Sequence, residues 1–284
     1  MSEFAEELGS AVLAAVASLI AVTIGWKKGF FQPLQNEKPR NPPTFLLVLI
    51  AFGIYFAAGL IIPQFFTKAL LAATSQEARV ETTTLASFII SLSIFLALLL
   101  FLFALHKPIR QAILLRSGYF EPKKDLSLAA AAWLISFPIV LLIGSCIDLL
   151  LYSIYGTFDF PDQIAVLFLK MTFEKPGFLV LAMSSIVLFA PLIEETLFRG
   201  FLQSWLRRHL APLPSIAISS ILFTSFHYSG DQGASNISIL SSLFVLGCFL
   251  GFLYERRQSL FSPLLLHGLF NALSAANLYI SSAL

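Results

Sequence analysis

Charge is what this sequence has least of. Of its 284 residues only 12% are Asp, Glu, Lys or Arg, while 57% are apolar and 29 are Phe. A soluble domain carries about 25% charged residues. So few charges cannot cover a 31.3 kDa globule, and the mean hydropathy of +0.84 agrees. The composition therefore predicts an integral membrane protein. A formal net charge of +2, with no basic run, gives no footing for a nucleic-acid partner. Cysteine is nearly as scarce. Cys146 and Cys248 both lie in apolar stretches, which excludes a disulfide framework and any CxxC site. A secretory signal needs positive charge ahead of its apolar run. Here Glu3, Glu6 and Glu7 precede the first run and Lys27-Lys28 follows it, so that run reads as a retained span.

Long apolar runs are abundant instead. A spanning helix needs about 20 mostly apolar residues. Segments near 8–26, 44–63, 84–105, 126–154, 177–198, 214–228, 237–253 and 260–281 qualify, the sixth being short. This predicts an all-α membrane protein of about eight transmembrane helices. Prolines 43, 63, 122, 176, 212, 214 and 263 fall near segment ends, where helices tolerate them. With the N-terminus outside, the odd-numbered loops hold 13 of the 18 Lys and Arg residues, and the even-numbered ones hold Lys68, Arg79, Lys170 and Lys175. That bias is the positive-inside pattern, and it places both termini outside. Dropping the sixth helix would weaken it. The chain reads as an N-terminal three-helix region, 1–125, followed by a five-helix core, 126–284.

Ionisable residues inside a bilayer are costly, so each is a candidate for function. The spans contain Asp148, Glu194, Glu195, Arg199, His227 and His267. Asp148 stands alone and reads as structural. The other five form three short patterns. In Glu194-Glu195-Thr196-Leu197-Phe198-Arg199, Glu195 and Arg199 share a helix face and pair, which leaves Glu194 as the carboxylate without a partner. Phe223 and His227 are one turn apart, as are His267 and Asn271. Counted from Arg207, Pro214 and Arg257 respectively, Glu194, His227 and His267 lie about 15–20 Å deep, close to the midplane. Three helices thus carry polar groups to one depth, which is the arrangement a single site requires.

The residue types suit amide hydrolysis in an apolar site, where a base must activate water and donors must meet the oxyanion. Two His and one carboxylate also suit a zinc ion with an open position, with Glu194, His227 and His267 as its ligands. HExxH is absent, and the two imidazoles sit on separate helices, which tilts the reading slightly towards metal-free chemistry. An intramembrane aspartyl site would need a second membrane Asp and GxGD, and neither is present. The nearest serine context, Gly233-Ala234-Ser235-Asn236, falls in a polar outer loop.

The ordered motifs EExxxR, FxxxH and HxxxN, over roughly 177–278, resemble the CPBP family of CAAX proteases and bacteriocin-processing enzymes, which includes the type II CAAX prenyl endopeptidases. By that resemblance the activity is endoproteolysis at or within the membrane. The substrate would be a membrane-anchored peptide or prenylprotein cut near its C-terminus. Glu194 would be the general base assisted by His227, with His267 and Asn271 holding the oxyanion. Glu195 and Arg199 would brace the site, and Phe223 would shape it. The family is often labelled metalloprotease, so the cofactor is either none or Zn. The expected location is the cell membrane, with the site opening towards the cytoplasm. A non-catalytic scaffold or immunity protein, or a proton-coupled transporter, are the competing classes. The transporter fits poorly, because the polar groups leave most helices purely apolar and no internal repeat is visible.

Overall fold

The computed structural model describes residues 2–283 apart from 35, 73, 74 and 117. Among these residues the regular structure is helical apart from a lone antiparallel bridge between Leu115 and Ser259. In chain order the helices are α1 (Ser2–Lys27), α2 (Phe45–Ala72), α3 (Gln76–Ala104), α4 (Lys107–Leu114), α5 (Pro122–Tyr155) and α6 (Ile164–Lys170). There follow α7 (Pro176–His209), α8 (Pro212–Ser225), α9 (Ser235–Arg257) and α10 (Phe261–Ala283). Their limits follow local chemistry. Pro122, Pro176 and Pro212 open helices, where their missing N–H costs nothing. The Ser75 hydroxyl accepts from the Ala78 N–H at 3.1 Å to cap α3. Gly156, at φ 74°, closes α5 in the left-handed conformation.

Seven of these helices are long and apolar enough to cross a membrane, and the protein is multi-pass. The expected sixth span is the exception. It is α8, 14 residues long, about 21 Å at the usual rise per residue, short of a hydrocarbon core about 30 Å thick. Large side chains such as Leu13, Leu19 and Leu100 expose 73%, 71% and 71% of their surface. In water that would be an aggregating face; against lipid tails it is neutral.

Side chains tie the connections at one end together. Arg207 donates to the Glu37 carbonyl and Arg256 to that of Gly29. Arg116 and Arg207 both meet Glu255, and Arg257 meets Asp125. At the opposite end Lys175 pairs with Glu77 and Glu81, and Ser235 donates to the Pro161 carbonyl. The loops therefore sort by charge as the alternation requires, α8 included. Within the bundle α1 lies along α5, while α2 and α3 pair with each other and lie against α7. The core around α7 joins Ile193, Leu197, Phe198 and Phe201 to Leu98 of α3 and Phe223 of α8.

Candidate active site

The site is built on α7, which is not a uniform α-helix. Its turns widen to π-helix over Ser184–Phe189 and again over Thr196–Gln203, on either side of the α-helical Ala190–Glu195. Pro191 explains part of this. The Ala190 N–H bonds the Ser185 carbonyl, five residues back, and Pro191 has no N–H to offer. The Ile186 carbonyl is thereby left without a donor from its own helix. Asn271 on α10 supplies one, its Nδ2 donating at 2.9 Å. Gly268, one turn earlier, lets α10 come close: a Cβ there would sit 3.2 Å from the Val187 carbonyl oxygen.

Past Pro191 the two adjacent glutamates diverge. Glu195 is fully buried, and its Oε1 takes the Arg199 guanidinium at 3.0 Å and His267 Nδ1 at 2.8 Å. Arg199 also donates to the Gly247 carbonyl at 3.0 Å and lies over the Phe223 ring, 4.6 Å from its centroid. The expected Glu195–Arg199 pair is thus present, and His267 joins it. These partners hold the buried charges, while Glu195 Oε2 and Arg199 Nε make no hydrogen bond among the described residues.

Glu194 points to the other side. Its Oε2 is buried and has no hydrogen-bond partner among the described residues. It faces His227 Nε2 at 3.9 Å and His267 Nε2 at 3.8 Å. Both distances are too long for a direct hydrogen bond and suit one intervening water. Each imidazole is fixed through its other nitrogen. His227 Nδ1 lies 3.0 Å from the Phe223 carbonyl, which can only accept. His267 Nδ1 lies against the Glu195 carboxylate. Both rings therefore donate through Nδ1, and when neutral they turn a lone pair at Nε2 towards Glu194. Phe223 packs against both rings, at 4.9 Å and 5.9 Å between centroids.

The structure brings Glu194, His227 and His267 together and sets Asn271 one turn from His267. His227 sits differently from expectation. It lies in a turn just beyond Ser225 rather than within a helix, and the Phe223 carbonyl still holds it as a further helical turn would. Ser235 is occupied by the Pro161 and Gln232 carbonyls at 2.9 Å and 2.6 Å. Asp148 lines a separate acidic cavity of about 600 Å³ with Glu3, Glu6, Glu7 and Asp162. The donor types facing one another at Glu194 are those zinc takes. Even so, among the described residues no group of three or more His, Cys, Asp or Glu side chains is arranged to hold a metal ion.

Beneath the site lies a buried network that the motifs do not include. Gln203 donates to the Gly251 carbonyl and to Glu255, Arg207 and Arg116 share Glu255, and Ser204 meets the Tyr254 hydroxyl at 2.6 Å. The signal was a matched spacing: Arg199, Gln203 and Arg207 on α7 recur every four residues, as do Gly247, Gly251 and Glu255 on α9.

Comparison with curated proteins and with solved structures gives no match. Residues 176–273 match the family model described as type II CAAX prenyl endopeptidase Rce1-like. That segment begins at the first residue of α7 and ends two residues beyond Asn271, so it contains all three motifs and every residue of the site. Over this third of its length the chain is similar to the Rce1-like family, which supports the CPBP resemblance.

Proposed function

We propose that the protein is an intramembrane endopeptidase that cuts a membrane-tethered, CAAX-type protein near its C-terminus, with Glu194 as the base and no resident metal. The observation that carries this reading is the buried, unpartnered Glu194 Oε2 facing two imidazole nitrogens at water-bridging distance. The matched family is a family of proteases, which supports hydrolysis as the chemistry.

The steps follow from the atoms. A water held between Glu194 Oε2 and His227 Nε2 gives one proton to the carboxylate, while His227 Nε2 accepts a hydrogen bond from the O–H that remains and aims the lone pair. The nascent hydroxide forms a C–O bond with the scissile carbonyl carbon, and the carbonyl electrons move onto oxygen. Asn271 keeps one amide N–H for the Ile186 carbonyl and offers the second to this oxyanion. His267 serves the oxyanion in its doubly protonated form, with Glu195 balancing the charge. Glu194 then passes its proton to the leaving nitrogen as the C–N bond breaks. The cationic end of the bundle faces the cytoplasm in this reading, and substrate tails reach the site from that side.

The test is product analysis. Purified protein is incubated with prenylated and unprenylated CAAX-tail peptides, and the fragments are identified by mass. Release of the last three residues by wild type supports the reading. No cleavage of either peptide by folded protein would contradict it and favour a scaffold that keeps the site without using it.

A further inference from the structure

The end of the bundle that gathers the cations also holds two that its ion-pair network leaves out. A cavity of about 400 Å³ opens there between the α1–α2 connection, α4 and the end of α7, lined by Lys38, Pro39, Asn41, Pro42, Ile109 and Arg208. Two cations line it and, among the described residues, no carboxylate does. Arg207 and Arg208 are neighbours with opposite surroundings. Arg207 is buried and held by Glu255 and by the Glu37 and Leu210 carbonyls. Arg208 is exposed, and neither it nor Lys38 makes an ion pair or hydrogen bond with a described residue. The wall they stand in is fixed all the same. The Arg207 bond pins the carbonyl just before Lys38, Pro39 is buried, and Asn41 sits at φ 51°, a left-handed conformation that Asn tolerates.

The level of the cavity also follows from the fold. Helix α7 runs for 34 residues, about 51 Å at the usual rise, against a hydrocarbon core about 30 Å thick. Its last turn, with Arg208, therefore reaches the headgroup layer. Trp205 marks the same level, its ring 4.9 Å from that of Phe45 and 5.8 Å from that of His209, an aromatic group of the kind that favours the interface.

We propose that this cavity binds the phosphate of an anionic phospholipid headgroup, with Lys38 and Arg208 donating to its oxygens. A zwitterionic lipid brings an ammonium as well, and no carboxylate lines the cavity to meet it. With the cationic end on the cytoplasmic side, the cavity would face the leaflet that carries anionic lipid. The inference does not rest on the endopeptidase reading, since binding is read without cleavage.

The test is thermal unfolding of the purified protein in detergent, titrated with phosphatidylglycerol, with phosphatidylcholine of the same chains, and with inorganic phosphate. Phosphatidylglycerol should raise the melting temperature saturably, and phosphatidylcholine should not. Lys38→Ala and Arg208→Ala should each raise the half-saturating lipid concentration about 5-fold, and the double variant about 25-fold. Their lipid-free melting temperatures should stay close to wild type, because neither side chain has a protein partner to lose. Lys123→Ala removes an exposed cation at the same end but outside the cavity, and it should leave lipid binding unchanged. An equal response to both lipids, or an equal loss in Lys123→Ala, overturns the site and leaves only diffuse surface charge. Inorganic phosphate that protects as well as the lipid overturns the headgroup as its source.

Discussion

In the proposed mechanism Asn271 works at two places at once, and the two can be separated. Its bond to the Ile186 carbonyl repairs a defect made by the π-turn and Pro191. Removing it should leave a half-buried acceptor unsatisfied, at a cost of about 1–3 kcal/mol. Asn271→Ala is therefore expected to lower stability by that amount in a detergent unfolding titration. Pro191→Ala returns a backbone N–H to the same turn and should recover part of the loss in the double variant. Activity should not return with stability, because the oxyanion donor is still missing; recovery of both would show a purely structural Asn271. At this scale the sequence was informative about Glu194, Glu195, Arg199, His227, His267 and Asn271, since polar groups are conspicuous in apolar spans. It was silent about Ile186, whose part depends on which backbone N–H groups bond to which carbonyls.

Between elements, α7 and α9 are joined by a ladder of one register. Arg199, Gln203 and Arg207 meet Gly247, Gly251 and Glu255 in turn. The glycines make this contact possible by exposing their carbonyls. A Cβ at Gly251 would lie 2.8 Å from Gln203 Oε1 and 3.0 Å from Ile216 Cγ2. Gly251→Ala should cost about 1–3 kcal/mol through overpacking, whereas Gly53→Ala on α2, with nothing within 4 Å, should be neutral or slightly stabilising in the same assay. Glu255→Ala should be worse, about 3–5 kcal/mol, because it leaves Arg116 and Arg207 buried without their carboxylate. An equal effect of the two glycine changes would refute the ladder. The four-residue spacing of Gly247 and Gly251 marks a close-packing face on α9. Its partner could not be read, because a helix packing face names no neighbour until the bundle is assembled. The short helices α4 and α6 went unseen for a simpler reason: at 8 and 7 residues they lie below the length at which an apolar run stands out.

For the whole molecule, the charge asymmetry of the loops predicts how the bundle is ordered across a membrane. The Arg residues gathered by Glu37, Asp125 and Glu255 lie at one end, and the loop after α8 lies at the other. If the cationic end is cytoplasmic, Arg208→Cys should react with an impermeant maleimide only in inside-out vesicles, and Asp231→Cys only in right-side-out vesicles. Labelling of both from one side would break the alternation through α8. That short helix ends two residues before His227, which leaves the imidazole beside Glu194.

The central claim is that Glu194, flanked by two fixed imidazoles, activates the attacking water itself. It is tested most directly by following cleavage of a fluorogenic CAAX-tail peptide after exhaustive chelation, with wild type, Glu194→Ala and His227→Ala side by side and their folding checked. The account expects wild-type activity to survive chelation and to fall by about 10²–10⁴-fold in each variant. Activity that disappears on chelation and returns with zinc would contradict it, making the same three side chains ligands of a metal rather than the base and its helpers.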